Sequence, residues 1–515
     1  MRRFVLAAVE IAILSALILA TRCANYQDVF VAGNIYFADA DCYARMTRAQ
    51  MCAEHPGLIV RHHDFENFPQ GTTSHTTVPL DYLIVTLSIL LGRFTSQPLA
   101  LGGAIVSPLL ALIGGAFLWW WSRRFNLRYR WMALILYGVS PILVHGTELG
   151  RPDHQSLLIV LIAIAICAEW SRQTEPSRKW SIVSGVSWAL ALWVSFYEPL
   201  ILLTLLLLVG LTKDRHLLFG AHRRIGWIVF TAVIAIALLV EQRVPSLSAL
   251  HSGAQLQNWS RTIGELGHIS LLSRIWFVWA GYLVVIAPIF IALSIRRKTA
   301  PPVVLVLLVA TFLLTIWQAR WSYFFVLIFA VALPSLLTPI KSRVIVWSAF
   351  ILSILPILQF WDGQLWPNES TLARQMERRF EAQQVRELAI MIRSSRKQPF
   401  VAPWWLSPAI SYWSGQPAIA GSSHESLAGI IDSAQFFATD DPQTAREILR
   451  RHQAQWIFAY DWDRLGRNCV ELLDAPVPER SIGRQLDRAA SQAPSDFVFS
   501  GQNGATKLFR FADKL

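Results

Sequence analysis

Residues 321–340 read WSYFFVLIFAVALPSLLTPI, twenty residues without one ionised side chain. As a helix, a run of this length spans about 30 Å, the thickness of the hydrocarbon core of a bilayer. Ten further apolar runs lie at residues 4–20, 97–121, 131–145, 156–170, 180–195, 199–211, 225–240, 275–295, 301–317 and 344–360. The sequence therefore predicts a polytopic α-helical membrane protein.

The composition supports the same class. Of the 515 residues, 54% are hydrophobic and only 16% are charged, against roughly 45–50% and 25% in soluble globular proteins. A water-facing surface needs more ionised groups than this, so a soluble protein of this size is excluded. The 22 Trp and 28 Phe also exclude a disordered or fibrous chain.

The net charge of +12 is distributed as in a membrane protein, so we expect no nucleic-acid partner. If the N-terminus is cytoplasmic, basic residues concentrate in alternate loops, as the positive-inside rule requires. A twelfth apolar stretch, Val78–Leu91, would invert this pattern if it crossed the membrane, so we expect it to be interfacial or re-entrant. The basic residues of the cytoplasmic loops are Arg123, Arg124, Arg128, Arg130, Arg172, Arg178, Lys179, Lys213, Arg215, Arg223, Arg224, Arg296, Arg297, Lys298, Lys341 and Arg343.

The predicted orientation puts four segments on the outer side of the membrane: residues 21–96, 146–155, 241–274 and 361–515. The last segment has the composition of a soluble domain, and its aromatic-rich strand candidates lie at residues 399–402, 455–460 and 497–511. We therefore expect a transmembrane domain over residues 1–360 and an extracytoplasmic mixed α/β domain over residues 361–515. Cys42 and Cys52 share the first outward loop and could form a disulfide in an oxidising compartment.

Acidic residues concentrate in the first two outward loops. Asp39 and Asp41 are two residues apart, and Glu148, Asp153 and His154 lie between two apolar spans. Such carboxylates can bind a hard cation, and ionisable groups close to a membrane are usually functional. Solvated loop carboxylates and helix capping by Asp153 are the structural alternatives. Because both loops face the same side, Asp41 and Asp153 could bind one ion.

Three more ionised residues lie on the predicted outer face. Glu265 is in the middle loop, where most glutamates are simply solvated. Arg320 ends a span without an obvious acidic neighbour, so it is either an interfacial residue flanked by aromatics or a phosphate ligand. Glu198 lies at a helix junction, and we expect it to be structural.

The order of these motifs resembles that of the catalytic subunits of oligosaccharyltransferases, which transfer a glycan from a polyprenyl-diphosphate carrier to asparagine. The matching strings are Asp41-Cys42-Tyr43, Asn67-Phe68-Pro69-Gln70-Gly71-Thr72, Asp153-His154, Thr262-Ile263-Gly264-Glu265 and Arg320. The similarity extends from residue 4 to about residue 420. It implies a GT-C fold with about eleven to thirteen transmembrane helices and a C-terminal extracytoplasmic α/β domain.

The resemblance also implies a metal-assisted, inverting displacement. Asp41, Asp153, His154 and Gln155 would bind Mn²⁺ or Mg²⁺, and the ion would stabilise the departing diphosphate. Asp41 and Glu265 would be the catalytic residues that hold the acceptor nitrogen. The family has a charged or imidazole ligand where this chain has Gln155, whose neutral amide oxygen is a weaker ligand.

The implied substrate contacts include a second departure from the family. Arg320 would bind the phosphate of the donor, and Trp404 and Trp405 would bind the acceptor together with Glu265. Leu406 replaces the aspartate of the family's Trp-Trp-Asp motif and cannot accept a hydrogen bond from a Ser or Thr hydroxyl. The two Trp side chains could equally belong to the core of the domain.

The best interpretation is a glycosyltransferase of a bacterial or archaeal-type cell membrane with its active site on the outer face. Its partners would be membrane lipids, a polyprenyl-(di)phosphate-linked glycan donor, and an exported protein or glycan acceptor, with protein asparagine as the best single acceptor. The first alternative is a polyprenyl-monophosphate-dependent GT-C transferase that modifies a lipid, a polysaccharide or another side chain. A transporter or flippase and a pseudoenzyme scaffold are the remaining hypotheses.

Overall fold

The computed structural model describes residues 2–213, 215–220, 222–243, 253–488 and 493–512. Part of the expected middle loop, residues 244–252, therefore lies outside the described residues. All eleven predicted spans are helical. The elements of the first 365 residues are α1 (Arg2–Arg22), α2 (Tyr26–Val29), β1 (Phe30–Val31), β2 (Asn34–Ile35), α3 (Ala40–Glu54), α4 (Val78–Leu91), α5 (Pro98–Arg124), α6 (Arg130–Val139), α7 (Pro141–His145), α8 (His154–Thr174), α9 (Arg178–Val194), α10 (Tyr197–Thr212), α11 (His216–Phe219), α12 (Arg223–Glu241), α13 (Gly253–Arg261), α14 (Ile275–Ala280), α15 (Leu283–Arg297), α16 (Pro302–Trp317), α17 (Ser322–Leu337), α18 (Arg343–Ser353) and α19 (Leu355–Leu365).

The helices confirm a polytopic α-helical membrane protein, but many of the spans are short or broken. Among the described residues, five helices are long and apolar enough to cross a membrane without a break: Phe4–Arg22, Pro98–Arg124, His154–Thr174, Arg223–Glu241 and Ala319–Leu337. Helices α18 and α19 form a sixth such element, bent by 40°. The other predicted spans are helices of at most 17 residues or helix pairs separated by a break.

One break separates α6 from α7. Pro141 lacks an amide hydrogen and disfavours helical backbone at the preceding residue, and Ser140 is extended there. The carbonyl of Val139 accepts a hydrogen bond from Trp361 Nε1 at 2.7 Å, and Ser140 Oγ donates to Trp279 O at 2.7 Å. The Val139 carbonyl, freed by this break, and the Trp279 carbonyl of α14 are thus paired inside the protein, which the absence of water in a bilayer requires.

A second break, at Gly281, separates α14 from α15. The φ of Gly281 is +77°, which glycine adopts without strain. The next two amides, of Tyr282 and Leu283, donate to Ser353 O and Oγ at 3.0 and 2.8 Å. Ser353 ends α18 at its bend into α19, so two interrupted helices meet where their backbones are irregular.

Helix α4 does not have the length of a span. Its 14 residues rise about 21 Å, less than the bilayer core of about 30 Å. It packs between α3 and α5, and its fully buried Asp81 pairs with Arg45 at 2.7 Å and Arg48 at 2.9 Å. The re-entrant placement of α4 stays a prediction.

Cys42 and Cys52, whose pairing the sequence left open, do not form a disulfide. Both side chains are buried and free. They lie ten residues apart on α3, about 15 Å along one helix axis, whereas a disulfide needs Cα atoms within about 7 Å.

The C-terminal domain is a mixed α/β unit, as predicted. Its four-stranded sheet has the order β3-β4-β6-β5, with β3 parallel to β4 and the other pairs antiparallel. The predicted boundary at residue 360 falls inside α19. The elements after α19 are α20 (Glu369–Met391), β3 (Phe400–Val401), α21 (Ser407–Ser414), α22 (Leu427–Ala438), α23 (Pro442–Arg451), β4 (Trp456–Ala459), α24 (Trp462–Leu473), α25 (Ile482–Arg488), β5 (Phe497–Asn503) and β6 (Thr506–Phe511).

Candidate active site

A cleft begins at the N-terminus of α3. The side chain of Asp39 fixes the position of this helix end. One carboxylate oxygen of Asp39 caps the helix by accepting the Cys42 N–H at 3.0 Å. The other accepts a hydrogen bond from Arg151 Nη1 at 2.5 Å. Asp39 thereby connects the first predicted outward loop to the second and orients the first turn of α3, on which Asp41 lies.

Asp41 keeps accessible surface but lies in a cleft lined by other acids. Desolvation in the cleft, together with the charges of Asp39 and Asp153, raises the pKa of Asp41. Glu265 acts in the same direction, and the Ser422 side chain opposes them. Three acids from three predicted outward loops thus act on Asp41, and a bound cation would relieve this repulsion.

Asp153, unlike Asp41, is kept ionised by its neighbours. Its Oδ1 lies 2.6 Å from His154 Nδ1. Burial acts to raise the pKa of Asp153, but His154 and Arg151 bring it well below its usual range. The next residue, Gln155, is 2% exposed, and its Oε1 has no hydrogen-bond partner.

The side chains predicted to bind the ion have donor atoms that suit a hard divalent cation. Asp41 and Asp153 supply carboxylate oxygens, and the unpartnered Oε1 of Gln155 supplies a neutral one, the atom types that Mg²⁺ and Mn²⁺ prefer. His154 is turned toward Asp153 and so acts on the carboxylate rather than standing free as a ligand. The predicted metal-binding role of these four residues stays a prediction.

Glu265 accepts a hydrogen bond from one of the membrane helices. It lies in the short 3₁₀ helix Gly264–Leu266 and accepts a hydrogen bond from Tyr323 Oη at 3.0 Å. The same hydroxyl lies 2.7 Å from His145 Nδ1, and His145 Nε2 lies 3.1 Å from Arg151 Nη2. Burial, followed by the charge of Asp153, raises the pKa of Glu265. A continuous chain of polar contacts thus joins Glu265 to Arg151 and, through it, to Asp39.

Arg320 has an acidic partner that its sequence neighbourhood did not reveal. Its guanidinium forms an ion pair with the fully buried Glu198 and lies 5.7 Å from the ring centre of Tyr197. Arg320 also lines a cavity of about 110 Å³ beside Glu265 and Tyr323. Glu198 thus fixes Arg320 at the cavity wall, and its structural role stays a prediction.

Trp404 and Trp405 lie in the core region of the C-terminal domain. The ring of Trp404 packs 6.4 Å from that of Trp259, on helix α13 of the middle loop. The ring of Trp405 lies 6.2 Å from that of Tyr460. Neither indole nitrogen has a hydrogen-bond partner. Trp404 therefore connects the domain to the loop that carries Glu265, whereas the predicted acceptor contact of both residues stays a prediction.

Several residues of the cleft belong to no sequence motif and were not predicted. Tyr323 and Glu265 are 58 positions apart, and His145 and Tyr323 are 178 apart. Ser422 comes from the C-terminal domain. Only His145 gave a usable signal, because an ionisable residue at the end of an apolar span is unusual.

No protein-family model and no curated protein matches the chain, but solved structures do. The oligosaccharyltransferase of Archaeoglobus fulgidus, tethered with an acceptor peptide containing the NVT sequon, matches with a TM-score of 0.68 at 13% identity, over 99% of this chain and 74% of that one. The same enzyme in complex with Zn and sulfate gives 0.65 at 14% identity, over 98% and 73%. ArnT from Cupriavidus metallidurans, bound to undecaprenyl phosphate, gives 0.55 at 13% identity, over 98% and 97%.

The chain therefore has the GT-C fold of these solved structures. This confirms the predicted fold and, at the level of the fold, the resemblance to oligosaccharyltransferases. Because the identities are only 13–14%, the chemistry has to be argued from this chain's own residues.

Proposed function

We propose that this protein is a membrane glycosyltransferase that moves a glycan from a polyprenyl-phosphate-linked carrier to an acceptor on the extracytoplasmic side. One observation carries the proposal: the carboxyls of Asp41, Asp153 and Glu265, from three separate loops, act on one another's ionisation in one cleft. Repulsion among these carboxyls costs stability when nothing is bound. An active site for a phosphate leaving group and a bound cation accounts for them.

The residues divide the chemistry between them. Asp41, Asp153 and Gln155 would hold a divalent cation, Mn²⁺ or Mg²⁺ in preference, which neutralises charge on the departing phosphate. Arg320, fixed by Glu198, binds the phosphate of the carrier. Asp41 and Glu265 orient the acceptor group. Because Tyr323 occupies Glu265 Oε1, Oε2 of that carboxylate is left to take the acceptor's proton.

Protein asparagine is the first acceptor to test, and a second candidate follows from Leu406. This side chain packs against the hydrophobic cluster around Leu388 and Phe400, so it offers no polar group to a sequon hydroxyl. ArnT, whose structure contains undecaprenyl phosphate, also matches this chain over 97% of its own length. The second candidate is therefore a transferase that uses a polyprenyl-monophosphate sugar and modifies a lipid or a polysaccharide.

The test is transfer by the purified protein in nanodiscs with Mn²⁺. One arm supplies a polyprenyl-diphosphate glycan and sequon peptides, and the other supplies a polyprenyl-monophosphate sugar and lipid acceptors. We expect Asp41→Asn to lower the rate at least 100-fold, because it removes a ligand and a charge from the transition state. Glu54→Gln, at the exposed far end of the same helix, is the matched control.

Each outcome decides between the candidates. Transfer to peptides supports the asparagine acceptor, and transfer only in the second arm supports the monophosphate-dependent enzyme. Full activity of Asp41→Asn would exclude the mechanism. If neither arm shows turnover, and lipids and acceptors extracted from the native membrane give none either, the protein is not a glycosyltransferase.

A further inference from the structure

A second group of potential metal ligands lies beside the acid-rich cleft. Among the described residues, one group of three His, Cys, Asp or Glu side chains has all its ligand atoms within 4.8 Å of one another, and it consists of His75, His424 and Glu425. His75 Nδ1 lies 2.6 Å from Glu425 Oε1, and His424 Nδ1 lies 3.5 Å from Glu425 Oε2. His75 belongs to the first outward loop, whereas His424 and Glu425 belong to the C-terminal domain.

One atom of this cluster has no hydrogen bond. Glu425 Oε2 is buried and has no hydrogen bond, although a buried carboxylate oxygen normally has one. The other side of the cluster is open, because the His75 side chain is 48% exposed and the His424 side chain is 31% exposed. The cluster thus combines a buried anionic ligand with two accessible imidazoles.

We propose that His75, His424 and Glu425 form a binding site for a transition-metal ion of the Zn²⁺ class. Two imidazole nitrogens and one carboxylate oxygen are a donor set that Zn²⁺ uses with water as fourth ligand, whereas Mg²⁺ and Mn²⁺ prefer oxygen ligands. Tetrahedral ligands at about 2.0–2.1 Å from the ion are about 3.4 Å apart. Small side-chain rotations are sufficient to bring the three ligand atoms from within 4.8 Å to that spacing.

This ion fastens the C-terminal domain to the first outward loop over the cleft. Ser422, two residues before His424, interacts with Asp41, and the ring of His154 lies 6.4 Å from that of His75. A bound ion would hold residues 422–425 against the loop and keep Ser422 beside Asp41. The site is distinct from the cation site around Asp41 and does not depend on glycosyl transfer.

The test uses Co²⁺ as a spectroscopic substitute for Zn²⁺. The full-length protein in nanodiscs is stripped with a chelator and titrated with Co²⁺ in millimolar Mg²⁺, which competes for the oxygen ligands around Asp41. We expect one Co²⁺ per chain with the visible absorption of a four-coordinate site, displaced by one equivalent of Zn²⁺. His424→Ala and the isosteric Glu425→Gln should each weaken binding at least tenfold.

Two further variants make the result specific. Asp41→Asn should keep the Co²⁺ spectrum, even if it abolishes transfer, and His55→Ala, in an exposed position of the same loop, should behave like the wild type. The metal should also slow amide exchange of residues 422–425. The proposal is overturned if the wild type binds no Co²⁺ under these conditions, or if Glu425→Gln, which keeps the shape of the side chain, binds it as tightly as the wild type.

Discussion

Tyr323 determines how the protons of the cleft are arranged. Its single hydroxyl hydrogen is donated to Glu265 at 3.0 Å, so the contact with His145 Nδ1 at 2.7 Å must be a hydrogen bond donated by the imidazole. His145 Nε2 then carries no hydrogen and accepts from Arg151, 3.1 Å away. His145 is therefore neutral in one fixed tautomer, and the guanidinium of Arg151 remains the positive charge beside Asp39.

Tyr323→Phe removes the hydroxyl and leaves Glu265 and His145 without their shared partner. A hydrogen bond to a charged group contributes about 1.5–3 kcal/mol, so we expect the transfer rate to fall roughly 10- to 100-fold. The measurement is kcat with each donor, beside the thermal midpoint of unfolding. Tyr282→Phe, at a 47% exposed position, is the control. An unchanged kcat for Tyr323→Phe would show that this hydrogen bond does not position Glu265.

The segment around Ser422 is the element through which the C-terminal domain reaches the cleft. The backbone N–H of Ser422 donates to Glu66 Oε1 at 3.1 Å, and Glu66 is only 3% exposed. Burial raises the pKa of Glu66 from 4.5 to about 7. Between pH 4.5 and pH 7, Glu66 is therefore protonated while it is buried against Ser422. It releases this proton when the contact opens.

This proton makes the contact weaker as the pH rises. The free energy that this proton contributes to the closed contact is fully present below pH 4.5. It is lost as the pH rises toward 7, by up to about 3 kcal/mol for a pKa shift of this size. We expect residues 418–426 to open more readily at pH 8 than at pH 5, measured by amide exchange corrected for intrinsic rates. Glu66→Gln should abolish this pH dependence, and Asp64→Asn, on a half-exposed carboxylate, should retain it. The same slope in wild type and Glu66→Gln would contradict the assignment.

The meeting of the two interrupted helices depends on Gly281. A Cβ at this position would lie 2.6 Å from Ser353 Oγ and 2.7 Å from Ser353 O, at a φ of +77°. Overpacking and the left-handed backbone together should make Gly281→Ala less stable by roughly 2–4 kcal/mol. The measurement is the thermal midpoint in detergent. Gly363→Ala, where a Cβ would meet nothing within 4 Å, should leave the midpoint unchanged, and equal midpoints for both variants would refute this explanation.

At the scale of the whole molecule, the orientation in the membrane can be tested with single cysteines. Lys179 and Ser370 are both exposed and lie on opposite sides in the predicted topology. In a cysteine-free background, an impermeant maleimide should label Ser370→Cys in intact cells or spheroplasts, and Lys179→Cys only after permeabilisation. Labelling of Lys179→Cys alone before permeabilisation would show that the topology is inverted. Labelling of both variants before permeabilisation would reject the predicted topology.

Apolar runs and charge balance were sufficient to predict the helical membrane fold, because each span is a local property of the chain. Asp41 and Asp153 were also accessible from the sequence, since each lies in an acidic motif of a predicted outward loop, and Glu265 was accessible only through the resemblance of Thr262-Ile263-Gly264-Glu265 to a family motif. The helix breaks were not predicted, because a proline or glycine interrupts a span only where another chain segment pairs the freed backbone groups. Tyr323, Ser422 and the partner of Arg320 could not be predicted either, because tertiary packing alone brings them to the cleft.

The hydrogen bond from Trp361 to the carbonyl of Val139 joins residues 222 positions apart and imposes an order on biosynthesis. At roughly 5–20 residues per second, the ribosome completes Trp361 about 10–40 s after Val139. During that interval the carbonyl at the α6–α7 break lacks its final partner in a medium without water. The helical bundle is thus completed only when its last helix has been inserted, and a nascent chain that stops earlier retains an unpaired polar group within the bilayer.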